Sequence, residues 1–98
     1  MGPVKAALES ATRYIAMELA EKRIRALVVS PGPLRTRASS GIKDFNELVE
    51  LAEKKVPHYD ELNIDEVGSV AAFLLSDAAR ALNGYTYYVD HGLSLVGI

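Results

Sequence analysis

Only two stretches of this 98-residue chain have the β-branched and aromatic character of a strand, Ile24-Arg25-Ala26-Leu27-Val28-Val29 and Tyr85-Thr86-Tyr87-Tyr88-Val89. Residues 30–84 lie between them and carry helical periodicity. Strands so far apart, joined by a helical crossover, must be parallel neighbours or near-neighbours with a right-handed connection. Two parallel strands do not make a stable sheet alone. Another part of a longer protein, or another copy of the chain, is therefore expected to complete it. The first run turns wholly apolar and stops at the breaker Ser30-Pro31-Gly32-Pro33, which reads as a strand covered on both faces.

The remaining pattern is helical. Val4, Leu8, Ala11, Ile15 and Leu19 recur at helical spacing and predict a helix over 3–21 that buries this stripe. Pro3 suits its first turn, where the missing N–H costs nothing. Residues 30–43 form a loop rich in Pro, Gly, Ser and Arg. Asp44 as N-cap, with Glu47 three residues on, opens a helix over 44–55 whose apolar face is Phe45, Leu48, Leu51 and Ala52, and Pro57 ends it. Asn63 or Asp65 caps a helix over 65–76 with the stripe Val67, Val70, Ala71, Leu74 and Leu75. Asp90-His91-Gly92 turns the chain after the second strand, and residues 93–96 form an apolar tail. Helix, strand, loop, two helices and strand is the rhythm of an α/β fold.

Composition excludes several classes. Eleven basic against thirteen acidic residues, net charge −2, argue against nucleic-acid binding. No run approaches the ~18 apolar residues of a membrane span. The N-terminus lacks a signal-peptide layout, and the absence of Cys excludes disulfides and thiolate metal sites. A cytoplasmic location is the default expectation. His58 and His91 are the only histidines and have no ligand spacing, so no metal site is expected. Ser30, Ser39 and Ser40 have no nucleophile elbow around them. Apolar residues make up 49% of a chain that allows only one small core, so spare apolar surface is expected, and with it a partner or self-association.

The motifs then resemble one family in order along the whole chain. Met1-Gly2-Pro3-Val4-Lys5-Ala6-Ala7-Leu8 is similar to the M-G-x-A-K-A-A-L segment of short-chain dehydrogenase/reductases, in their enoyl-acyl-carrier-protein reductase version. Residues 24–36, ending Ser30-Pro31-Gly32-Pro33-Leu34-Arg35-Thr36, resemble that family's S-x-G-P-I-R-T strand and loop. Ser40-Gly41-Ile42-Lys43-Asp44-Phe45 resembles its substrate loop S-G-I-x-x-F. Ile64-Asp65-Glu66-Val67-Gly68, Ala71-Ala72-Phe73-Leu74-Leu75-Ser76-Asp77, and Gly84 with Tyr88-Val89-Asp90 match further segments. His91 departs from the family's V-D-G-G, and His58-Tyr59-Asp60 stands where a Pro-Leu-Arg-like stretch is usual.

The resemblance implies the C-terminal part of a Rossmann-like doubly wound sheet, two strands and about four helices, with a substrate-loop region about 30–57. It implies NADH as cofactor and an acyl-carrier-protein-linked trans-2-enoyl thioester as substrate, reduced in fatty-acid biosynthesis by hydride transfer to the β-carbon. By resemblance Lys5 bonds the nicotinamide ribose and lowers the pKa of a catalytic Tyr. Leu34, with Pro33, meets the nicotinamide carboxamide through its backbone, and the Thr36 hydroxyl bonds the carboxamide or phosphate. Ala38, Ile42, Phe45 and Leu48 line an acyl channel. Read from the residues alone, Lys5 is a solvated helix-start lysine, residues 31–36 are a Pro-rich turn, and the four apolar residues are an ordinary inner stripe.

The family's catalytic Tyr falls seven positions before Lys5, ahead of Met1, and the seven glycines never cluster into a dinucleotide loop. The chain is accordingly expected to be a fragment, inactive in isolation. The alternatives are a catalytically inactive self-associating remnant and a fragment of another short-chain dehydrogenase/reductase. A homo-oligomer is expected from the spare apolar face.

Overall fold

The computed structural model describes residues 2–35 and 44–96, and Thr36, Ala38 and Ile42 lie outside them. The described elements are α1 (Gly2–Leu19), β1 (Val28–Pro31), α2 (Phe45–Lys55), α3 (Ile64–Leu75) and β2 (Thr86–Val89), with short 3-10 turns at Ala20–Lys22, Asp77–Ala79 and Leu93–Val96. Three α-helices are thus present among the described residues. The chain divides into two compact units, residues 1–29 with 71–87 and residues 30–70 with 88–98, and both strands and α3 run through both.

The strands pair in one two-stranded sheet. Val28 N–H donates to Tyr85 O at 3.1 Å and Gly32 N–H to Val89 O at 3.0 Å. Both partners advance by four residues together, the register of parallel strands. Residues 28, 30 and 32 therefore face β2, and Pro31, which has no N–H to give, faces away from it.

β1 begins four residues later than Ile24, where the sequence placed it. Residues 24–27 are fastened by other means. Ala26 N–H donates to Asn83 Oδ1 at 3.0 Å, Gly84 N–H donates to Ala26 O at 2.8 Å, and the Arg25 guanidinium donates to Leu82 O at 3.1 Å. The partner strand starts only at Thr86, so the ladder cannot begin earlier.

In the first unit, α1 buries Thr12 and Ala16, not the expected aliphatic stripe. Val4 and Leu8 remain 66% and 58% exposed, and Ile15 is also exposed. Small residues mark the closest approach: a Cβ added at Gly84, whose φ is +81°, would sit 3.5 Å from Ala16 Cβ. Bulky side chains cannot enter such a contact, and the aliphatic stripe finds no cover among the described residues. Thr12 returns its hydroxyl to Leu8 O at 2.8 Å, which satisfies it inside the helix.

In the second unit, α2 buries Phe45, Val49 and Ala52, spaced i, i+4 and i+7, and packs on the turn Leu93–Val96. Leu62 and Leu93 complete this core. Leu48 and Leu51, expected inside, are each 41% exposed because they sit off that line. Leu75 of α3 is likewise exposed while Leu74 is buried. Val56, just before Pro57, is extended and closes α2.

The two helix starts differ. Asn63 Oδ1 accepts Asp65 N–H at 2.7 Å while Glu66 Oε1 accepts Asn63 N–H at 2.8 Å, a reciprocal capping box. Asp44 makes no side-chain cap bond, contrary to expectation. Its φ of −97° and ψ of 9° are not the extended conformation that swings a capping side chain over the first amides. Asn63→Ala is therefore expected to lower stability by about 1 kcal/mol and Asp44→Ala by less than about 0.5 kcal/mol, read from urea midpoints of the two variants.

Candidate functional site

A parallel sheet delivers its loops at the carboxyl ends of the strands, the usual place for a ligand in open α/β sheets. In the second unit these loops are Gly32–Leu34 after β1 and Asp90–Ser94 after β2. Between them and Leu48 of α2 opens a cleft of about 360 Å³, lined also by Ser30, Pro31 and Tyr88. A second opening of about 330 Å³ is lined by Asp44, Phe45, Glu47, Leu48 and Leu51.

Asp90 holds the cleft's floor. It is buried. Its Oδ1 accepts Gly92 N–H at 3.0 Å and its Oδ2 accepts Ser94 N–H at 2.9 Å, so the carboxylate caps the last 3-10 turn. Gly32 lies against it: a Cβ added at Gly32 would stand 2.9 Å from Asp90 Cβ and 3.3 Å from its Cα. The path of the chain toward Leu34 thus depends on glycine at 32.

His91 has φ +54°, the left-handed region that glycine enters freely and other residues at a cost of roughly 1 kcal/mol. Its imidazole Nε2 lies 3.5 Å from Glu66 Oε2, and its ring meets Tyr59 edge-on with centroids 5.8 Å apart. Both contacts hold the imidazole at this turn. The Tyr59 hydroxyl is buried without a hydrogen-bond partner among the described residues. Burial pushes its pKa above 10.0, and the carboxylates of Glu61, Asp90 and Glu53 push the same way.

The expected site residues divide between the units. Pro33 and Leu48 meet at the larger cleft. Leu34 is half-buried and forms a parallel bridge to Leu62. Phe45 is buried beneath the Arg35 guanidinium, 4.7 Å from the ring centroid, and shares the second opening with Leu48. Lys5 is an exposed residue of α1 in the first unit. Sequence reasoning read Asp90-His91-Gly92 as a turn but assigned neither Asp90 nor Arg35 a place in the site. That turn signature was legible, but the two amide bonds of the Asp90 carboxylate and the partners of Arg35 are visible only in the fold. Among the described residues no group of three His, Cys, Asp or Glu is placed to hold a metal ion. No helix there is long and apolar enough to cross a membrane.

Gly32→Ala is expected to destabilise the chain by about 1–3 kcal/mol, because the new methyl must displace Asp90, and urea unfolding measures this. The raised Tyr59 pKa has a definite sign. Its stabilising contribution is fully present below the unfolded value of 10.0 and is lost as pH rises through the higher folded value. Absorbance titration of the wild type against Tyr59→Phe is expected to lose a tyrosine transition on the high-pH side of 10.0.

The family model for Enoyl-(Acyl carrier protein) reductase matches residues 1–94. The NADH enoyl-acyl-carrier-protein reductase of Enterococcus faecalis is 41% identical over 95 residues, which cover 97% of this chain and 38% of that protein. A rice counterpart named chloroplastic is 44% identical over 99 aligned positions, covering 100% of this chain and 27% of its own length. The crystal structure of the Anaplasma phagocytophilum reductase in complex with NAD is 42% identical with a TM-score of 0.87, over 100% of this chain and 37% of that one. The chain therefore spans between 27% and 38% of the length of these relatives. With the sequence motifs, the parallel strands and the family match in agreement, this chain belongs to the enoyl-acyl-carrier-protein reductase family.

Proposed function

We propose that these 98 residues are the C-terminal portion of an NADH-dependent enoyl-acyl-carrier-protein reductase of fatty-acid biosynthesis. The observation that carries the reading is the cleft at the carboxyl ends of the parallel strands, where Gly32 and Pro33, which match the family's S-x-G-P-I-R-T loop, meet the partly exposed Leu48. The residues fit one end of the cofactor. An open cleft beside Gly32–Leu34 suits a flat nicotinamide, while no clustered glycines provide a pyrophosphate loop within these residues. NADH, when bound, supplies a hydride to the β-carbon of the enoyl thioester.

The chain's own residues bind and orient. The Leu34 backbone, with Pro33 before it, holds the carboxamide, and the Thr36 hydroxyl adds a hydrogen bond. Lys5 holds the ribose hydroxyls, and its positive charge favours the ionised form of a neighbouring phenol. Ala38, Ile42, Phe45 and Leu48 receive the acyl chain, each buried CH₂ contributing ~0.8 kcal/mol. Identity of 41% to an NADH enoyl reductase favours this over another short-chain dehydrogenase. In this reading the region about 30–57 is the substrate loop. The 98 residues alone, in the same reading, bind NADH weakly or not at all and turn over no substrate.

A second reading concerns association and is compatible with the first. Val4, Leu8, Tyr14 and Met17 of α1 are exposed. Such surface favours a homo-oligomer, which a monodisperse monomer in light scattering would contradict.

The functional test is a chimera in which these residues replace the matched segment of the Enterococcus faecalis reductase. The chimera is expected to oxidise NADH with a crotonyl thioester, and Lys5→Ala to lower kcat/KM by roughly 10²-fold or more. A folded but inactive chimera, or turnover by the 98-residue chain alone, would contradict the proposal.

A further inference from the structure

Arg35 gathers three stretches of the second unit. Its Nε donates to Glu61 Oε1 at 2.8 Å, and its Nη2 donates to Asn46 Oδ1 at 3.0 Å. Its guanidinium carbon lies 4.7 Å above the centroid of the Phe45 ring. The neighbouring residues repeat the connection through the backbone, since Leu34 bridges Leu62, the residue after Glu61. One side chain thus joins the end of the β1 loop, the start of α2 and the segment leading into α3.

We infer that Arg35 is a positioning residue that couples the Leu34 backbone to Phe45, so that the stretch proposed to face the cofactor and the one proposed to face the acyl chain hold a fixed relation. What the two ends bind rests on the proposed function, but the coupling rests on the contacts. The chemistry asks for arginine. A planar guanidinium offers two separate donor nitrogens in its plane and a face for an aromatic ring, whereas an ammonium has no planar face and donates from a single nitrogen. The Arg35 and Glu61 side chains are 49% and 39% exposed, so either hydrogen bond alone would contribute little. Three contacts on one side chain share a single ordering cost. Asn46, in the first turn of α2, accepts a hydrogen bond from Arg35 through its side-chain oxygen.

The test is a double-mutant cycle on the isotope-labelled chimera, free of ligand, in which the rest of the sheet is supplied. Asn46→Ala is introduced into the wild type and into Arg35→Lys, and the amide resonances of Leu34 and Leu62 are recorded. Both substituted positions are exposed, so the fold is expected to persist. With coupling through Arg35, Asn46→Ala moves the Leu34 and Leu62 signals in the wild type and leaves them in place in Arg35→Lys. Equal movement in both backgrounds, or none in the wild type, overturns the inference. In the chimera, Arg35→Lys is expected to raise KM for NADH and for the enoyl thioester together, by roughly three- to tenfold, with kcat changed less. A rise in only one of the two KM values also overturns it. The resonance experiment uses no ligand, so an inactive chimera refutes the functional reading while the resonances still decide the coupling.

Discussion

Everything in this chain depends on one short parallel ladder. From Val28–Tyr85 to Gly32–Val89 it runs for only a few residues, yet its direction decides which ends of the strands lie together. Because the strands are parallel, Gly32–Leu34 and Asp90–Ser94 emerge on the same edge. Gly32 lets the two loops touch, and the Asp90 carboxylate, fixed by two amides, gives them a rigid base. An antiparallel pairing would send these loops to opposite edges and leave no cleft.

The same arrangement leaves much apolar surface uncovered. A two-stranded parallel sheet is a poor independent core, and the side chains of α1 show the consequence. Its contact with Gly84 is made by Ala16, while its larger aliphatic residues face outward. In the proposed function that surface meets further strands and helices, from more of the same polypeptide or from another copy.

The sequence made the order of elements legible because hydrophobic period and breaker residues are local signals. Helix limits were read to within a residue or two, and β2 to within one. Three features escaped for physical reasons. The start of β1 depends on where its partner begins and on Asn83 and Gly84, distant in sequence. The buried faces of α1 and α2 depend on what each helix meets, so Thr12, Ala16 and Val49 displaced larger or equally apolar candidates. Capping at Asp44 failed on backbone conformation, which residue type does not fix, whereas Asn63 succeeded with Glu66. Of the candidate site, the P-G-P-L loop and Leu48 were legible from motifs. The Arg35 contacts were not, because Phe45, Asn46 and Glu61 come together only through the fold.

The central claim is that the carboxyl edge of this ladder receives the nicotinamide end of the cofactor. The most direct measurement is a crystal structure of the chimeric reductase with NADH bound. The expected result is a nicotinamide carboxamide about 3 Å from the Leu34 backbone, with Lys5 within hydrogen-bond reach of the ribose hydroxyls. A nicotinamide seated away from the Gly32–Leu34 loop, or a ribose out of reach of Lys5, would contradict it.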